Sequence, residues 1–177
     1  MLLYGEGMTI TPEHTDEAGV LDGLPCTSLS VTHLLDAEIR FRETQIFGTP
    51  VTTRMVAVVE DGTFTGPRLR GEILPGGGDW LVMGNDRICR LDVRATLLTD
   101  DGGYVYLTNT GRVVLADADA GRRYLAGETL RAEHMHTRTA PLFETGAEKY
   151  AWLNGTVNIG FVELSRSHIT YRIYTVQ

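Results

Sequence analysis

Ile88-Cys89-Arg90-Leu91-Asp92-Val93-Arg94-Ala95-Thr96-Leu97-Leu98, then Thr99-Asp100-Asp101-Gly102, then Gly103-Tyr104-Val105-Tyr106-Leu107-Thr108-Asn109-Thr110, is the stretch that decides the fold. Leu91, Val93, Ala95 and Leu97 alternate with Asp92, Arg94 and Thr96. A period of two marks a strand with one apolar face. The Asp-Asp-Gly break supplies turn residues, so the two runs read as an antiparallel hairpin.

The same pattern continues outward from this hairpin. Upstream, Leu35, Ala37, Ile39 and Phe41 alternate with Asp36, Glu38, Arg40 and Arg42. Val51–Val59 is β-branched and apolar, and Glu60-Asp61-Gly62 reads as a hairpin turn after it. Thr63–Leu74 is interrupted by Gly66-Pro67, which fits a bulge or a sheet edge. Pro75-Gly76-Gly77-Gly78 reads as a loop and Asp79–Met83 as a short strand. Downstream, Leu115–Leu130 is rich in Ala, Asp and Arg and reads as an insertion with one or two helical turns. Arg131–Thr139 regains strand character up to Pro141, and Tyr150–Asn154, Thr156–Leu164 and His168–Val176 complete the set. About nine strands without a long amphipathic helix indicate an all-β, antiparallel fold. Long neighbouring strands favour a closed or nearly closed β-barrel over a two-sheet sandwich, because closure removes exposed edges. Residues 1–30 carry many turn formers and little periodicity. They read as an irregular N-terminal arm on a single barrel domain of residues 31–177.

Composition narrows the function. The chain has 177 residues, 42% of them hydrophobic, enough for one domain with a full core. Its 20 glycines suit a chain of tight turns and bulges. The net charge of −7 argues against nucleic-acid partners and anionic membranes, since both demand basic surfaces. Lys149 is the only lysine among 16 basic residues, so Schiff-base chemistry would need it or the amino terminus. Cys26 and Cys89 are expected as free thiols of a cytoplasmic protein. The sequence has no signal-peptide pattern, dinucleotide fingerprint, phosphate-binding glycine loop or Gly-x-Ser-x-Gly elbow. No cofactor is expected. The arm and open-ended strands allow a homodimer.

Several segments together carry a family resemblance. They are Gly62-Thr63-Phe64-Thr65-Gly66-Pro67-Arg68-Leu69-Arg70-Gly71, Leu74-Pro75-Gly76-Gly77-Gly78-Asp79-Trp80, Thr99-Asp100-Asp101-Gly102, Phe143-Glu144-Thr145-Gly146 and Tyr150-Ala151-Trp152-Leu153-Asn154. In this order and spacing the chain resembles the bacterial and fungal family known as domain of unknown function 3237. The resemblance runs from roughly residue 34 to residue 176 and implies a compact barrel of lipocalin-like appearance. It implies no chemistry. Barrel proteins of similar look that close rings in hydrophobic intermediates offer an analogy of fold only.

Candidate site residues follow from position and chemistry. Asp79 and Trp80 come after three glycines at a strand start, where Asp79 offers a base and Trp80 a stacking wall. The alternative is a capping Asp and a barrel-plugging Trp. Asp92 and Arg94 line a polar cavity wall if their face points inward, and form a surface pair if it points outward, which the pattern favours. His134, His136 and Arg138 share one strand face, yet a third metal ligand is not evident, so no metal site is expected. An inward Arg138 would need a partner such as Glu144 or Asp92, or would clamp a substrate carbonyl. Tyr106 is a potential proton donor, Trp152 a stacking platform or plug, and Asn154 a turn residue.

Two functions fit these residues. The leading reading is a cofactor-independent enzyme that cyclises or isomerises a small hydrophobic, polyketide-like intermediate of natural-product biosynthesis. Asp79, Asp92, Tyr106 and Arg138 would carry the chemistry, and Trp80, His136, Glu144 and Trp152 would bind the ligand. The alternative is a carrier of a small hydrophobic ligand. Both require an interior roomy enough for an organic guest.

Overall fold

The computed structural model describes residues 29–177. The expected arm, apart from Leu29 and Ser30, lies outside the described residues, as does Cys26. The described residues form nine strands: β1 (Val31–Gly48), β2 (Thr53–Thr65), β3 (Arg70–Ile73), β4 (Gly78–Met83), β5 (Ile88–Thr99), β6 (Tyr104–Leu115), β7 (Met135–Glu144), β8 (Asn158–Leu164) and β9 (His168–Val176). A helix α1 (Ala118–Leu125) follows β6, and a 3-10 helix (Glu148–Gly155) follows β7.

All strand pairs are antiparallel, and β1 closes the sheet by pairing with both β9 and β2. The short strands β3 and β4 share one place between β2 and β5, giving eight positions around the barrel. The alternating pattern is realised in β5, where Cys89, Leu91, Val93, Ala95 and Leu97 are buried and face inward. Phe64, Leu97, Val105 and Leu153 are almost fully buried. Each such side chain contributes roughly 1.5–3 kcal/mol by leaving water.

Three local expectations are corrected. Glu60-Asp61-Gly62 is no hairpin turn, because Asp61 and Gly62 pair with Arg40 and Ile39 inside one continuous β2. An extra residue in β2 at Glu60 and another in β1 at Arg42 bend the pair there, and β2 changes its second partner from β4 to β3. Pro141 does not end β7, which continues to Glu144. A missing N–H is tolerated because β7 pairs with β8 only at Thr139↔Gly160. Residues 150–154 are helical rather than a strand, because Tyr150 and Leu153, three apart, both plug the barrel end. The break at Gly66-Pro67 occurs as expected, with Gly66 N–H donating to Leu69 C=O. A side chain on Gly66 would collide with the Leu34 carbonyl.

The opposite end is closed by α1, which sits where β8 and β9 have already turned back. Asp117 caps it by accepting the Ala120 N–H at 2.8 Å. Eight residues do not hold a helix in water by themselves. Ala120 and Tyr124 bury themselves among Leu81, Cys89, Leu91 and Met135, and Arg166 donates to the Leu125 carbonyl.

Candidate functional site

Between the two apolar ends lies a band of buried polar side chains. Asp79 on β4, Asn109 on β6, Thr137 and Thr139 on β7 and Tyr171 on β9 all face inward and are buried. Asp79 accepts the backbone N–H of Asp92 at 3.0 Å. Among the described residues no cation compensates it. Burial pushes its carboxyl up to about 7, with the Asp92 charge adding to the rise and the Asp92 N–H opposing it. Asp79 in turn is felt by its neighbours. Burial, then the Asp79 charge, raises both the Cys89 thiol, to about 12, and the Tyr171 hydroxyl. Asn109 lies next to the Tyr171 hydroxyl. Among the described residues, Asn109 Oδ1 and Thr139 Oγ1 are buried without a hydrogen-bond partner. Buried polar groups usually find one, so these two atoms are open to a donor such as a water.

Beside Asp79 the interior void measures about 20 Å³, bounded by Phe41, Met55, Leu91, Tyr124 and Ile169. That volume holds a water molecule, not an organic guest. The expected roomy cavity is therefore corrected. Large apolar side chains from facing strands fill the lower half, and Tyr124 stops its end, with its hydroxyl 3.6 Å from Met55 Sδ.

Most of the sequence-derived candidates lie elsewhere. Trp80 and Tyr106 are each 40% exposed on the outer wall, because they alternate with the inward residues of their strands. Asp92 and Arg94 also face outward and pair with each other at 3.3 Å, with Arg94 over the Trp80 ring. Asp92 reaches the interior only through its backbone N–H. Trp152 is half-buried at the end plugged by the 3-10 helix, stacked 3.7 Å from the Arg68 guanidinium. Glu144 faces solvent opposite Tyr106. Of the three glycines before Asp79, Gly77 and Gly78 serve strand packing, since side chains there would strike the Arg94 and Ala57 carbonyls, and Gly76 takes the left-handed turn conformation.

His136 and Arg138 face outward into a second site, a groove of about 680 Å³ where β7 and β8 separate. Along this seam side chains replace ladder bonds. Thr137 Oγ1 accepts the Val162 N–H, Asn158 Nδ2 donates to the Pro141 carbonyl, and Arg138 Nη1 donates to the Thr137 carbonyl at 2.6 Å. Arg138 therefore occupies backbone left unpaired by the seam and stacks 4.4 Å from the Phe161 ring. Val162 and Tyr171 belong to both the groove and the interior packing.

Asn109, Thr139 and Tyr171 escaped the sequence reading. Asn109 carries a visible signal: it occupies the apolar register of β6 among Val105, Leu107 and Val113. A lone amide on a core face is a buried polar group awaiting a partner. Among the described residues, no three His, Cys, Asp or Glu side chains converge as metal ligands. No described helix is long and apolar enough to cross a membrane.

Comparison with known proteins places this geometry in a group. A UPF0311 protein of Clostridium acetobutylicum is 26% identical over 147 residues, which cover 83% of this chain and 90% of that protein. The crystal structure of a conserved protein of unknown function from Rhodopseudomonas palustris superimposes with a TM-score of 0.80 at 23% identity, covering 86% of this chain and all of that one. An enzyme from Penicillium herquei shares the fold at a TM-score of 0.63 and 20% identity, over 88% of this chain and 99% of that one. The family model described as "Protein of unknown function (DUF3237)" matches residues 29–176, and the chain belongs to that family.

Proposed function

We propose that the barrel interior at Asp79 is a cofactor-independent proton-transfer site that cyclises or isomerises a small hydrophobic, polyketide-like molecule. One observation carries this reading. A carboxyl with no cationic partner among the described residues is kept in the apolar interior, and burial brings it to about 7. Such a group is costly to the fold and suited to taking and returning protons near neutrality. Asn109 Oδ1 and Thr139 Oγ1 would receive substrate hydroxyls, and Tyr171 would orient an oxygen. Access requires Tyr124 on α1 to swing away and the apolar side chains around Asp79 to part, since the interior as it stands has room for a water alone. The sharing of the fold with a fungal enzyme is compatible with this reading.

Proton exchange tests it directly. In deuterium oxide, small aryl ketones are incubated with the protein and the α-proton signal is followed by NMR. The Asp79 carboxylate takes the proton, the C–H electron pair becomes the enolate, and a solvent-exchanged deuteron returns to carbon. Wild type should accelerate exchange, with a rate that rises with pH and levels off above about 7. Asp79→Asn should lose about 10²–10⁴-fold. Equal rates for the two proteins would remove Asp79 from the chemistry.

A second reading, binding without chemistry, draws on the β7–β8 groove. Its volume of about 680 Å³ suits an organic ligand, and the Arg138–Phe161 stack offers a flat wall. Arg138→Ala should then lower the affinity of aryl ketones while leaving exchange at Asp79 unchanged.

A further inference from the structure

β1 outruns its partner. Its pairing with β9 ends at Arg40↔His168, and Phe41 N–H still donates to the Ser167 carbonyl. From Glu43 to Gly48, among the described residues, β1 pairs with β2 alone. Alternate residues of this six-residue run direct their N–H and C=O groups away from β2. The run forms an arm with β2 whose apolar side chains are open to solvent: Ile46 is 38% exposed, Phe47 50% and Val51, in the turn, 72%.

Sheet edges of this kind are normally guarded by lysine, proline or inward charge. Glu43-Thr44-Gln45-Ile46-Phe47-Gly48 carries one charge and no proline, and Thr44, Ile46 and Phe47 favour strands. We propose that this edge is a homodimer interface, in which β1 of two copies pairs antiparallel across a two-fold axis near Gln45. The proposal stands apart from the interior chemistry.

Charge selects this partner and this direction. With Gln45 on the axis, Glu43 lies opposite the partner's Phe47, and Thr44 opposite the partner's Ile46. Phe47 pairs with Arg54 on β2, so the partner's Arg54 falls in line with Glu43 one strand further on. Two strand spacings, roughly 10 Å, are bridged by an extended Arg and Glu. Arg54 forms no ion pair among the described residues. Parallel pairing in register would instead set Glu43 beside its own copy, which is unfavourable. A two-fold antiparallel pair also uses the same patch on both copies, which closes the assembly at two.

Sedimentation velocity on the full chain, up to about 100 µM, decides the matter. The wild type should dimerise, and amides 43–48 should exchange more slowly as concentration rises. Phe47→Glu places a like charge opposite Glu43 at two symmetric positions and should weaken association about tenfold or more. Glu43→Arg and Arg54→Glu should each weaken the dimer, and the double variant should restore it. A monomer at every concentration overturns the proposal, as does a dimer indifferent to Phe47→Glu and to both charge reversals.

Discussion

Asp79→Asn is expected to make this protein more stable at pH 8, by as much as about 4 kcal/mol, while removing the proton transfer proposed for it. The carboxyl stands at 3.8 in an ordinary environment and at about 7 in the folded barrel. Between those values the native state binds more protons than the unfolded chain, so stability falls as pH rises. The contribution is fully present below about 3.8 and lost once pH passes about 7. Roughly three pKa units at about 1.4 kcal/mol each set the ceiling. Asn keeps the shape and still offers an oxygen to the Asp92 N–H, so the variant escapes the penalty without opening a cavity. Urea unfolding of both proteins from pH 5 to pH 9 measures the effect. At pH 5 the Asn variant should already lead by roughly 1.6 kcal/mol, and the gap should widen to its ceiling by pH 8. The exposed, lowered carboxyls such as Asp61 and Asp119 affect both proteins alike. Parallel curves across this range would mean that Asp79 is hydrated and ordinary.

Phe64→Ala is expected to cost about 3–5 kcal/mol, whereas Trp80→Ala should stay within about 1 kcal/mol. Phe64 is 1% exposed and packs between β1 and β3, where Ala37 and Gly71 are its cross-strand neighbours. Its removal leaves a cavity that paired strands cannot collapse. Trp80, although larger, is 40% exposed on the outer wall beneath Arg94. Urea midpoints of the two variants report which strand faces are inside. A larger loss for Trp80→Ala would reverse the assignment of the β4 faces, and Asp79 would then face solvent. These stability measurements bear on the same carboxyl as the exchange experiment, yet they need no substrate.

A buried carboxylate with a neutral-range pKa explains why α1 matters. Tyr124 on α1 closes the barrel beside Asp79, and its neighbours are Met55, Leu81 and Cys89. An element of eight residues, held by two buried side chains and the Arg166 bond, is far easier to displace than a strand. The substrate path proposed here therefore runs under α1, while the walls stay closed by their ladders.

Much of the barrel was legible in the sequence. Period-two alternation in β1 and β5 assigns faces because side-chain direction in a strand depends only on local geometry. The same local rule gave the β5–β6 hairpin and the break at Gly66-Pro67. Asp79 was legible as a candidate because it follows three glycines, although Gly77 and Gly78 serve close strand packing and Gly76 a tight turn. The misplaced residues share one cause. Trp80, Tyr106, Arg138 and Glu144 have suitable chemistry, but a strand's inner face is chosen by where its ring of neighbours closes, which no short window contains. Pro141 was read as a stop because its missing N–H matters only if a partner strand needs it, and β8 does not. What tertiary structure alone decided is the meeting of Asp79, Asn109, Thr139 and Tyr171, drawn from four strands far apart in sequence. Their burial together, and the pKa it imposes on Asp79, arises from closure of the barrel, a property of the whole ring rather than of any segment.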